Sequence, residues 1–100
     1  MQVWRHGDVM VAAVKAIPNG AKRRPAAILA RGEATGHSHR IQDAGAAEVY
    51  DHNGVGYLRV VGDTALLVHD EHKPITLPRG TYRFWQQREY TPEAIRTILD

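Results

Sequence analysis

The sequence predicts an all-β domain, a small barrel or sandwich closed by a short C-terminal helix. Three observations lead there. Apolar and polar residues alternate with a period of two through several short runs, the spacing that turns one strand face toward a core. Turn signals punctuate those runs: His6-Gly7-Asp8, Pro18-Asn19-Gly20, Asn53-Gly54 and Gly62-Asp63. Helical spacing is confined to the end of the chain, where Ile95, Ile98 and Leu99 follow Thr91-Pro92-Glu93. No internal repeat, low-complexity tract or linker divides the sequence, so residues 1–100 are expected to form a single β domain.

The elements follow in order. Residues 4–6 and 9–17 flank the tight reversal at His6-Gly7-Asp8, and Pro18-Asn19-Gly20 ends the second strand. A basic loop, Lys22-Arg23-Arg24-Pro25, leads to a strand at 26–31. Residues 37–42 alternate cleanly, with His37, His39 and Ile41 on one face and Ser38, Arg40 and Gln42 on the other. Asn53-Gly54 and Gly62-Asp63, read as two-residue loops, give a three-stranded meander of 47–52, 55–61 and 64–70. In that register Gly56 opposes both Asp51 and His69. The inward face carries Val49, Asp51, Gly56, Leu58, Val60, Ala65, Leu67, His69 and Glu71. A one-residue slip in either turn would reverse the assignment. After Lys73-Pro74, residues 75–80 read as a turn-bounded edge piece, and 81–90 read as the longest strand. Thr91 is a helix N-cap with Pro92 at the first helical position, opening a two-turn helix that must dock on the sheet to persist.

Composition narrows the function classes. An apolar fraction of 43% suits a globular domain rather than a disordered tail. No apolar run approaches the ~20 residues of a membrane-spanning helix, and a charged-then-apolar signal pattern is missing, so a cytoplasmic protein without membrane partners is expected. With no cysteine, any metal must be held by nitrogen and oxygen. The net charge of +2 is mild and its only dense run is Lys22-Arg23-Arg24, which makes nucleic acid an unlikely partner.

The histidines carry the chemistry. His37 and His39 are two apart on an alternating strand and share a face with Ile41, so both imidazoles point inward. Buried imidazoles need hydrogen-bond partners or a cation between them. His69-Asp70-Glu71-His72 supplies further ligand types downstream. The expected site is a divalent metal, zinc, iron, manganese or nickel, held by His37, His39 and His69. His72 or Glu71 is the fourth ligand or a catalytic acid/base, and Asp51 reaches His69 across Gly56. His6 and Asp8 flank a glycine turn and are candidates for the same site, although a turn Asp ordinarily bonds its own backbone. His52, at a hairpin tip, is expected to be solvated. Arg88 could seat an anion, but an Arg/Glu pair tying the last strand to its neighbour is the favoured reading.

The segments Gly32-Glu33-Ala34-Thr35-Gly36-His37-Ser38-His39, His69-Asp70-Glu71-His72-Lys73-Pro74-Ile75, Leu77-Pro78-Arg79-Gly80-Thr81-Tyr82 and Gln87-Arg88-Glu89-Tyr90 resemble a family of small uncharacterised bacterial and phage-type proteins. Gly7-Asp8-Val9 matches that family's opening, and the motifs run in the same order. The resemblance implies a histidine-rich site and no assigned activity. A weaker likeness is to the cupins, β-barrels with a His-x-His metal motif after a glycine. Gly32 with His37-Ser38-His39 is similar to the first cupin motif, and Pro78-Arg79-Gly80 to the Pro-x-Gly of the second. It implies a cupin-like barrel but not the cupin ligand set, because Glu48 lies too far beyond His39 and Arg83 stands where a histidine would.

Two functions from different classes are expected to compete. Three protein ligands would leave a metal position open for water or a small-molecule substrate, as in an enzyme. The same histidines could instead close a structural site that stabilises the fold or a homo-oligomer. Nucleic-acid binding through the basic loop is the weakest of the alternatives.

Overall fold

The computed structural model describes residues 2–31 and 37–87. The expected C-terminal helix and the Arg88-Glu89-Tyr90 motif lie outside the described residues, as does the Gly32–Gly36 approach to His37. Among the described residues, eight antiparallel strands form one sheet: β1 (Val3–His6), β2 (Val9–Ala13), β3 (Lys22–Arg23), β4 (Ile28–Arg31), β5 (Ser38–Ile41), β6 (Ala47–His52), β7 (Val55–Val68) and β8 (Ile75–Gln86). The order is β1-β2-β8-β7-β5-β4, with β6 paired to both β7 and β3. The all-β expectation holds. Among the described residues the hydrogen-bonded path does not close into a barrel.

Two hairpins form as the turn chemistry predicts. His6 pairs with Val9 across Gly7-Asp8, with Gly7 at φ +64° in the first loop position. His52 pairs with Val55 across Asn53-Gly54, whose φ values of 50° and 79° are both positive, as the mirror-image hairpin turn requires. β2 ends at Ala13 rather than residue 17. The basic loop is not merely solvated, because Lys22–Arg23 forms a short strand on β6.

The third expected turn is not one. Gly62-Asp63 lies inside the continuous 14-residue β7, and β8 is likewise one 12-residue strand rather than an edge piece and a long strand. Val60 pairs with Gly80 and Thr64 with Pro78, so Val61, Gly62 and Asp63 bulge opposite Arg79 alone. The Arg79 Nε donates to the Gly62 carbonyl at 3.1 Å, which satisfies a group the ladder leaves out. Pro78 is tolerated because β2 pairs only with Tyr82–Gln86, leaving its other edge unpaired. Val60 and Ala65 on β7 and Leu77 and Tyr82 on β8 are all buried, each pair five residues apart, so both strands change face across the bend. Val49, Leu58, Val60, Ala65 and Leu67 are therefore buried as expected, although the chain does not reverse.

The bulge has a second consequence. A straight 12-residue strand would run roughly 36–40 Å. Yet Gln86 at one end of β8 donates to Asp8, while His72, three residues before its other end, lies against Gly7. The β7–β8 ribbon therefore folds back on itself. Leu58, Val60, Tyr82 and Phe84 from one half meet Leu67, Leu77, Ile41 and Leu29 from the other in one core, with Val9 and Val11 between them.

Candidate metal centre

Folding the ribbon brings three separate segments to one place: the β1–β2 turn, the start of β5, and residues 69–74 between β7 and β8. Five of the six histidines arrive on them. His39 is 4% exposed and His6 2%, and both rings enter the interior. His39, His69 and His72 each offer a nitrogen within 4.8 Å of the others, a grouping able to hold a metal ion. The ring centres of His39 and His69 are 4.3 Å apart, those of His69 and His72 4.6 Å, and those of His39 and His72 5.6 Å.

His6 belongs to the same cluster. Its Nδ1 lies 2.9 Å from Nδ1 of His39, and its ring centre is 5.8 Å from His72 and 6.4 Å from His69. Its Nε2 is buried and makes no hydrogen bond. Asp8 follows through the turn: Oδ1 stands 3.2 Å from His39 Nε2, while Oδ2 accepts a 2.6 Å bond from Gln86. Both nitrogens of His39 are thus engaged, one by a carboxylate and one by a second imidazole. Gly7 makes this close approach possible, since a Cβ there would come to 2.5 Å from His72 Nε2.

The electrostatics favour neutral rings. Burial, then repulsion from His69 and His6, pushes His39 down to about 4 despite the opposing pull of Asp8. Burial and then His72 lower His6, and burial with His72 and His37 lowers His69. Burial alone would raise Asp8, but the bond from Gln86, its own backbone and His39 outweigh it, so its carboxylate stays ionised. His6, His39 and His69, held toward the neutral form beside one carboxylate, are ready donors for a borderline divalent cation.

The remaining expected residues are distributed differently. His37 precedes β5 and is half-buried, with its ring centre 5.6 Å from His69 and its nitrogens 3.4 Å from Asp70 and 3.6 Å from Glu71. The strict alternation expected there breaks, because Ser38 is buried beside His39. His69, Glu71 and His72 lie in the connection after β7, not on a strand face, and Glu71 donates its backbone N–H to His69 Nδ1 at 3.0 Å. Glu71 is exposed. Gly56 opposes Asp51 as expected, but its other neighbour is Phe84, not His69.

Asp51 therefore does not support the histidines; it binds Arg24. The Arg24 Nε and Nη2 donate to the two Asp51 oxygens at 2.6 and 2.8 Å, and Nη1 donates to the carbonyls of Ile28 and Leu29. His52 sits at the β6–β7 turn beside Gly20. A cavity of about 390 Å³ has Arg24, Asp51, Phe84 and Gln86 in its wall, and none of the histidines lines it. Two of its lining residues, Val9 and Ala30, are the cross-strand partners of His6 and His39. Sequence reasoning ranked His6 and Asp8 below the ligands, and the signal that could have raised them is their place on a two-residue glycine turn, which projects neighbouring side chains from a fixed point.

Residues 5–87 match the family model of a domain of unknown function, DUF8820. No curated protein and no solved structure matches the chain.

Proposed function

We propose that this chain, which belongs to the DUF8820 family, is a metal-binding protein whose divalent cation is held by His39, His69 and His72. The convergence of three imidazoles from β5 and the 69–74 connection within 4.8 Å carries the reading. His39 and His69 held toward the neutral form, a carboxylate behind His39 and a ligand set free of sulfur suit zinc, iron, manganese or nickel. The likeness of Gly32 and His37-Ser38-His39 to the cupin metal motif supports the same chemistry. Protein produced without an affinity tag should carry about one equivalent of metal by elemental analysis. His39→Ala should lose it and His52→Ala should keep it. Equal content in all three proteins, or none in the wild type, rejects the site.

A metal-dependent enzyme is the second reading, favoured by a cavity whose wall includes Val9 and Ala30, the cross-strand partners of His6 and His39. It requires a coordination position open to that cavity. What occupies that position decides between the two.

A further inference from the structure

We infer that His6 is the fourth ligand, so that the metal is enclosed by four imidazoles and serves as a clasp between the β1–β2 turn and the 69–74 connection. The inference rests on the metal-binding reading and goes beyond it in fixing the coordination and its role. Four rings define six separations. For His6, His39, His69 and His72 these run from 4.3 to 6.4 Å between ring centres and average about 5.3 Å. A tetrahedral ion with metal–nitrogen bonds of ~2.0–2.1 Å places the centres of its four imidazoles roughly 5 Å apart. The cluster has the size of that shell: His39, His69 and His72 already hold nitrogens within 4.8 Å of one another, and His6 joins them by closing on His69.

The His6–His39 contact points the same way. Two buried Nδ1 atoms 2.9 Å apart must share either a proton or a cation. Their separation is close to the roughly 3.3 Å edge of a tetrahedral nitrogen shell. Ligation through Nδ1 leaves His39 Nε2 to donate to Asp8, the carboxylate–histidine–metal arrangement that fixes a ligand's tautomer and orientation. Gln86 in turn holds Asp8. The longest of the six separations, His6 to His69, spans the two segments being joined, and it is the one a bound ion would shorten.

The role follows from where the ligands lie in the chain. His6 ends β1, His39 lies in β5, and His69 and His72 lie in the connection that joins β7 to β8. One ion would tie both halves of the bent sheet in a 100-residue chain that has no cysteine for disulfides. With four protein ligands no position remains for substrate.

Cobalt(II) tests this, because its visible absorption is strong in a tetrahedral shell and weakens when coordination expands. Wild-type protein titrated with cobalt(II) should develop an intense band at one equivalent that excess azide does not alter. His6→Ala should bind cobalt at least tenfold more weakly, and its band should shift with azide as the anion takes the opened position. A wild-type band that shifts with azide overturns the fourth ligand, as does a variant matching the wild type in band and affinity. If His6→Ala does not fold, the wild-type azide titration decides alone. Failure of the wild type to bind cobalt overturns the metal-binding reading itself.

Discussion

At the scale of single residues, the site depends on a glycine that carries no chemistry. Gly7 has φ +64° and presents bare backbone to the His72 ring. A methyl group there would be strained by the backbone and would meet His72 Nε2 at 2.5 Å. Gly7→Ala should therefore displace His72 and weaken metal binding by tenfold or more, measured by competition with a chromophoric chelator. Gly54→Ala is the matched control: its φ of 79° is equally unfavourable, but a Cβ there meets nothing within 4 Å. It should lower stability and leave metal affinity alone. Equal affinity losses in the two variants would show that the effect is backbone strain and not the contact with His72.

At the scale of elements, the packing of β6, β7 and β8 turns on Gly56. It opposes Asp51 on one side and Phe84 on the other, and the Phe84 ring lies directly over its Cα. The Arg24 guanidinium stacks on the same ring at 5.4 Å while it grips Asp51. Gly56→Val should thus overpack this junction and destabilise the fold by about 1–3 kcal/mol. Metal stoichiometry should not change, because the histidines lie elsewhere. Chemical denaturation paired with elemental analysis separates the two effects, and loss of metal from the folded variant would contradict the placement. Register reading put this glycine beside His69, and the error has one cause. Both strands of the β7–β8 ribbon change face where it bends, as a reversal would make them do, so alternation alone identifies the inward residues without revealing whether the chain turns.

For the whole molecule, the clustered histidines couple stability to pH and metal. His39 is held near 4 in the fold and is near 6.5 when unfolded, with His6 and His69 shifted the same way. Between those values the unfolded chain binds more protons than the native one. Stability must fall as pH is lowered from about 6.5 toward about 4, and the loss is complete below that. Asp8, depressed in the fold, adds a loss of the same sign at lower pH. Protons also compete with metal for the same nitrogens. Added zinc should raise the melting temperature by several degrees at pH 7.5 and by much less at pH 5. Coincident melting curves with zinc and with chelator at pH 7.5 would mean that the histidines are structural without metal.

Local patterns were enough for the all-β class, two of the hairpins and the buried faces of β6 and β7, and they single out the two segments that carry His39, His69 and His72. Each of these depends on residues within a few positions of one another, where alternation and turn chemistry act directly. The identity of the cluster did not. His6 and His39 are 33 residues apart and His72 is 33 beyond His39, so their meeting depends on where the β7–β8 ribbon bends. Asp51 was drawn away from the site by Arg24, a partner 27 residues distant on the short strand-and-loop segment after Gly20. Only the tertiary structure could decide these pairings, because they are set by how two halves of one sheet close over a shared core and not by any short-range preference of the chain.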